Sequence, residues 1–190
     1  PAQVVVVPLD IGSDSSVIAA RNTVARRTKS IDLVINNAGI FSPLSDRGIR
    51  DEPDYEDMVR LFNVNTLGAL RVTEAFLPLL QPGEMKRLCY VSSEAGSIAR
   101  SQRGAWFGYC MSKAALNRGV AYLFDRLRLE GYSFRLFHPG WMKTYMSGER
   151  NDRAELDPDD VAIAALDYFL SPQDEDRLVM RDWQGKAWPL

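Results

Sequence analysis

The chain has 190 residues, 46% of them hydrophobic and 25% charged, with a formal net charge of -2. That length supports one substantial core and is short for two ordinary domains, so a single domain over residues 1–190 is expected. The near-zero charge gives no reason to expect a nucleic-acid backbone as partner, and no apolar stretch is long enough to span a membrane. Two cysteines, Cys89 and Cys110, make no disulfide framework and read as small buried hydrophobes. With a single histidine a Cys/His zinc site is not expected, and no metal is assigned. No secretory signal is visible, and a cytoplasmic location is the default.

The chain opens at Pro1 and runs at once into Val4-Val5-Val6-Val7 without a preceding methionine, as a fragment of a longer protein would. Val4 to Leu9 reads as a first strand and 14–29 as a helix; Ile31 to Asn36 is the second strand. Asp46 to Asp57 is charge-rich and reads as a solvated loop leading into a helix over 54–80. On that helix Met58, Leu61, Ala69, Val72 and Phe76 form an apolar stripe, and Asn65 falls on it, where a polar amide must find hydrogen bonds. Leu88 to Ser92 is the third strand. The helix over 105–130 is apolar on two sides, Leu116, Val120, Leu123 and Leu127 on one, and Cys110, Ala114, Ala121 and Phe124 on the other. Such a helix needs two neighbours, one of them from a second subunit, so a homodimer or homotetramer is expected. Gly131 ends this helix, and Tyr132 to Phe137 is the fourth strand. Asp157 and Pro158 are an N-cap and first-position pair for a helix over 158–170, and a weak strand follows at Arg177 to Met180.

These strands are near-continuous apolar runs, as expected where both sheet faces are covered. Their alternation with helices predicts an α/β fold, a doubly wound parallel sheet with right-handed crossovers. Ligands of such sheets bind at the carboxyl ends of the strands. Those ends carry Asn36-Asn37-Ala38-Gly39, then Ser92-Ser93, then His138-Pro139-Gly140-Trp141-Met142-Lys143-Thr144. Tyr109 and Lys113 lie on the helix after the serines, four positions apart and so on one helical face. A nearby cation favours a phenolate, which would make Tyr109 a usable acid or base near neutral pH. For His138, where a strand meets a proline, a structural hydrogen-bonding role is expected ahead of catalysis.

Together these residues resemble the short-chain dehydrogenase/reductase family. Asn36 to Gly39 matches its Asn-Asn-Ala-Gly motif, and Asn65 in Asn63-Val64-Asn65-Thr66-Leu67-Gly68 matches its active-site asparagine. Ser93 matches its catalytic serine, Tyr109 and Lys113 its Tyr-x-x-x-Lys pair, and Pro139-Gly140 with Thr144 its cofactor loop. The His138 to Thr144 segment and the ending Asp182 to Pro189 are similar to the branch of C-factor and sniffer-type carbonyl reductases. The resemblance implies a Rossmann-like fold, NADP or NAD as cofactor without a readable preference, and a small-molecule carbonyl or alcohol as substrate.

It further implies that Tyr109 is the general acid/base and Ser93 orients the carbonyl. Lys113 lowers the Tyr109 pKa and binds the ribose, and Asn65 holds a water in a proton relay. Asp10, Ile11, Asn37, Ala38, Gly39, Tyr109, Lys113, Pro139, Gly140, Met142 and Thr144 would contact the cofactor, Asp10 and Ile11 at its adenine end and Met142 and Thr144 on the nicotinamide side. Two departures stand out. The family's glycine-rich phosphate turn is absent, as if the first strand, first helix and second strand were missing, and the Ser93–Tyr109 spacing is longer than usual, with Arg100 and Arg103 in the extra loop. The alternative is therefore a non-catalytic binding or scaffolding protein on the same fold, its cofactor binding lost with the N-terminal segment. Trp141, Tyr145 and Met146, where the family has its substrate lid, suggest an apolar pocket.

Overall fold

The structure, a computed structural model, describes residues 4–42, 44, 47–172 and 176–190. Pro1 and Asp46 lie outside the described residues. Helix α1 (Asp14–Ala25) precedes strand β1 (Leu33–Asn36), and α2 (Tyr55–Phe62) continues through a π-helical segment, Asn63–Gly68, into α3 (Ala69–Leu80). Then come β2 (Arg87–Val91), α4 (Phe107–Leu127), β3 (Ser133–His138), α5 (Pro158–Leu170), β4 (Met180–Asp182) and β5 (Ala187–Trp188). The sheet order is β1-β2-β3-β4-β5, parallel from β1 to β4 and antiparallel between β4 and β5. The expected parallel α/β architecture is present, with helices on both faces.

The larger core joins Val17 of α1, Val72 of α3, and Leu116, Val120 and Phe124 of α4 to Leu88, Tyr90 and Leu136 of the sheet. Phe124, expected on the second face of its helix, belongs to this core and meets Phe134 edge-on with ring centroids 5.6 Å apart. On the other face Cys89 and Phe137 pack against Val161 and Phe169 of α5. Burial pushes the Cys89 thiol up to about 12, as suits a cysteine used as a hydrophobe. Helix α5 starts where expected, its N-cap Asp157 accepting from the Asp159 N–H. Its carboxyl end is held by two buried guanidiniums. Arg87 donates to the carbonyls of Phe169 and Ser171, and Arg135 to those of Tyr168 and Ser171. The negative end of a helix is a natural seat for a cation.

Three expectations need correction. Val4 to Leu9 is not a strand; Val4 and Val6 are 87% and 89% exposed. β-branched residues favour extended backbone, but a strand exists only through its ladder, and β1 is the edge of the described sheet. The weak strand lies later than Arg177 to Met180, at Met180–Asp182, and pairs with a strand, Ala187–Trp188, that is too short to leave a pattern. The long helix over 54–80 is interrupted by the π-helical segment, which widens the turn around Asn65. The helical stripe itself is confirmed, with Leu61, Ala69 and Val72 buried.

Candidate active site

The carboxyl ends of β1, β2 and β3 bring the motifs to one edge of the sheet. Beyond β1, Asn36 is buried and donates to the Cys89 carbonyl, while Asn37 and Ala38 are exposed. A Cβ added to Gly39 would lie 3.4 Å from Asn65 Oδ1 and 3.5 Å from Lys113 Nζ, so the loop after β1 passes directly beside both.

Asn65 is 1% exposed, and its amide clasps that loop. Oδ1 accepts from the Ile40 N–H (2.7 Å), and Nδ2 donates to the Ile40 carbonyl (2.9 Å) and to Ser112 Oγ (3.0 Å). Both amide hydrogens are thus committed. This backbone clasp satisfies the amide in its apolar surroundings. The widened turn is itself tied down by Arg71. That side chain donates to Asn63 and to the Ile11 carbonyl, and pairs with Asp14.

After β2 the backbone turns through Glu94–Gly96, and Ser93 caps this short 3-10 turn by accepting from the Ala95 N–H. Ser92 donates to Asn117 Oδ1 of α4 at 2.5 Å, and Asn117 in turn donates to the Gly96 carbonyl. Asn117 was not anticipated, yet it carried the signal that exposed Asn65: an amide on the apolar stripe of a helix. A Cβ on Gly96 would fall 2.7 and 2.8 Å from the backbone carbonyl of Lys113, so the serine turn rests directly on α4. A Cβ on Gly108 would meet Leu61 at 2.8 Å, and so α4 also lies tight against α2.

Tyr109 is buried, and the Ser93 hydroxyl lies close enough to its phenol to oppose the effect of burial on it. Lys113 is buried too, its ammonium donating to the Val91 carbonyl at 3.0 Å and lying 5.9 Å from the Tyr109 ring centre. Burial pushes the phenol up to about 12 against the opposing pull of the nearby Ser93 hydroxyl. Burial likewise brings the ammonium down to about 8. Burial is the largest influence on the phenol, and Lys113 is not among the groups that move it. The amine is directed at the Val91 carbonyl.

The wall beside Tyr109 is aromatic. Phe41 stands edge-on to Trp106 and Tyr109, with centroids 5.0 and 5.1 Å apart, and Arg103 stacks on Trp106 at 4.0 Å while pairing with Glu94. Trp106 has φ +67, a left-handed backbone that bulky residues adopt only under constraint. Nothing in the sequence announced it. Trp141, Tyr145 and Met146 are exposed, and the Met146 side chain reaches the Gly39 loop.

On the loop after β3, Gly140 has φ +78, and a Cβ there would lie 2.5 Å from Leu156 and 2.6 Å from Trp183, so only glycine fits. Pro139, Met142 and Thr144 are half-buried, with Met142 bridging to Leu156. Asp10 is exposed and accepts from the Gly12 N–H. The Ile11 side chain is buried in the core, leaving only its backbone to meet a ligand. Among the described residues no group of three His, Cys, Asp or Glu side chains is placed to hold a metal ion, and no helix is long and apolar enough to cross a membrane.

The short chain dehydrogenase family model matches residues 1–155. The chain belongs to this family. It is 40% identical over 164 residues to the C-signal of Myxococcus xanthus, covering 85% of this chain and 94% of that one. It superimposes on the NADPH-bound carbonyl reductase from chicken fatty liver with a TM-score of 0.85 and 30% identity, over 98% of this chain and 77% of that one. The carbonyl reductase Sniffer of D. melanogaster, at 23% identity and a TM-score of 0.84, shares the fold. The short-chain dehydrogenase match joins the motif residues to a family of oxidoreductases.

Proposed function

We propose that this short-chain dehydrogenase is a nicotinamide-dependent carbonyl reductase in which Ser93 and Tyr109 bind and protonate the carbonyl oxygen. The observation that carries the reading is the convergence of the Ser93 and Tyr109 hydroxyls, with the Lys113 ammonium in the same buried corner. A nicotinamide nucleotide fits the residues present. Exposed Asn37 and Ala38 and the side-chain-free Gly39 form an open shelf beside Lys113, and the glycine-only Gly140 turn faces it from the next strand but one. NADP or NAD would lie on Asn37, Ala38, Gly39 and Lys113 at its ribose, and on Pro139, Gly140, Met142 and Thr144 at its nicotinamide. Asp10 and the Ile11 backbone would meet its adenine end.

The nicotinamide, when bound, supplies or accepts the hydride. Ser93 donates to the substrate oxygen and fixes it against Tyr109. Because burial keeps the phenol protonated through the neutral range, Tyr109 is set up to give a proton to that oxygen as negative charge develops on it. Lys113 keeps positive charge near that oxygen, an electrostatic contribution strengthened by exclusion of water. Phe41 and Trp106 favour a planar, aromatic carbonyl compound. Tyr55, Val59 and Phe62 of α2 and Met111 and Tyr122 of α4 leave large apolar surfaces exposed, which suits a homodimer formed on the α2–α4 face. Two free cysteines and a nicotinamide cofactor suit the cytoplasm.

The test is to follow NADPH and NADH oxidation by the protein carrying this chain with 4-nitrobenzaldehyde. Turnover abolished by Ser93→Ala is the expected result. Absence of turnover and of nucleotide binding would instead favour a scaffolding protein.

A further inference from the structure

His138 ends β3 and is 5% exposed. Its Nδ1 accepts two backbone hydrogens that belong to different parts of the site. One is the Glu94 N–H (3.2 Å), in the turn that follows Ser93, and the other is the Gly140 N–H (3.4 Å), in the loop after β3. The ring is wedged edge-on against Trp183 and Trp188, with centroids 5.8 and 5.2 Å away. Trp188 is itself anchored by donating to Asp182 Oδ2 at 2.9 Å, and Arg100 stacks on its outer side at 4.0 Å. This imidazole is therefore not a loose strand-end residue. It is a fixed two-way acceptor between β2's turn and β3's loop.

We propose that His138 is a positioning residue, a neutral imidazole whose Nδ1 ties the Ser93 turn to the Gly140 loop and so sets the carbonyl-orienting hydroxyl against the nicotinamide side. The inference rests on the role given to Ser93 above. Accepting at Nδ1 requires the ring's one hydrogen to sit on Nε2. A proton on Nδ1 would point at two N–H groups and break both links at once. The charged groups facing the ring are Glu94 on the turn, Asp182 on β4 and Arg103 on the loop before α4. Burial outweighs them and holds the imidazole down at about 4, so the tie is intact through the neutral range. Through one atom, the first of these bonds ties the Ser93 turn to a residue 44 positions further along the chain. A displacement of about 1 Å in such an arrangement is enough to cost on the order of 10²-fold in rate.

Three substitutions separate this role from mere packing. Asn carries an acceptor near the Nδ1 position, Gln carries one near Nε2, and Phe fills the space with none. The first readout is amide hydrogen exchange at Glu94 and Gly140, which needs neither cofactor nor substrate. The second is kcat and KM with NADPH and 4-nitrobenzaldehyde. His138→Asn is expected to keep both amides protected and kcat within about threefold of wild type. His138→Gln and His138→Phe should speed exchange at both amides together and lower kcat by about tenfold or more, with KM little changed. Asn behaving like Phe, at matched melting temperature, overturns the proposal, as does exchange at one amide that ignores the other. Should the Phe variant not fold, wild type serves. The Glu94 and Gly140 amide shifts must move together as the imidazole titrates, and independent movement refutes the tie. Coupled amides in a wild-type protein without carbonyl turnover would overturn the positioning role together with the enzyme reading, leaving only the structural link.

Discussion

Gly96→Ala places a single methyl group where the serine turn rests on α4. The new Cβ would lie 2.7 Å from the carbonyl carbon and 2.8 Å from the carbonyl oxygen of Lys113, and 2.9 Å from Asn117 Nδ2. Two of these are backbone atoms, which cannot swing away as a long side chain does. Opening the contact to 3.4 Å, the lower end of ordinary packing, moves the turn or the helix by about 0.7 Å. Gly96 is not among the glycines with positive φ, so an alanine there meets the clash alone and no backbone penalty. Overpacking of this size costs about 1–3 kcal/mol, and at about 2–4 °C per kcal/mol for a chain this long the melting temperature should fall measurably. The larger effect is on chemistry. The displacement falls between Ser93 and the Tyr109–Lys113 helix, and kcat should drop by about 10²-fold with nucleotide binding little changed. Thermal unfolding and steady-state kinetics on the same preparation provide the check. Gly104→Ala is the control, because nothing lies within 4 Å of its added Cβ. If Gly96→Ala matches Gly104→Ala in both stability and kcat, the close seating of the serine turn on α4 does not set the site's geometry.

Further outcomes follow from burial and hydrogen bonding. Asn65→Ala removes the clasp on Ile40 and leaves its N–H and carbonyl without those partners. It should cost about 2–4 kcal/mol in urea unfolding even without cofactor. Lys113→Met should raise stability while abolishing turnover. The ammonium's pKa falls from 10.5 to about 8 on folding, so below about pH 8 the wild type carries the full cost of a buried charge, roughly 3 kcal/mol. That cost fades as pH rises from about 8 towards 10.5, and wild type should gain on the Met variant across that window. A constant gap between the two from neutral to alkaline pH would contradict a buried, charged lysine. Reductive kcat/KM should fall as pH rises through about 8, where Lys113 loses its charge, with Tyr109 still protonated.

Much of this fold was legible because burial on both faces leaves uninterrupted apolar runs. Leu33–Asn36, Arg87–Val91 and Ser133–His138 lie within a residue or two of where those runs place them. Val4 to Leu9 has the same composition and is not a strand, since composition encodes a preference for extended backbone and pairing depends on a neighbour. The π-helical widening at Asn63–Gly68 was invisible because a single shifted turn leaves the apolar stripe of Leu61, Ala69 and Val72 in register on either side. At the site, residue types marked Ser93, Tyr109 and Lys113, but direction was beyond their reach. Burial, a tertiary quantity, sends the phenol up and the amine down. The Nδ1 fork of His138 and the seating of Gly96 likewise depend on approach distances that no local pattern carries.

The central claim, that Tyr109 gives its proton to a carbonyl held by Ser93, is tested most directly by single-turnover oxidation of NADPH in Tyr109→Phe. The ring, its packing on Phe41 and its burial are retained, and only the hydroxyl is lost. The account predicts NADPH affinity within about threefold of wild type and hydride transfer slowed by about 10²–10⁴-fold. Hydride transfer at the wild-type rate, with affinity unchanged, would contradict it.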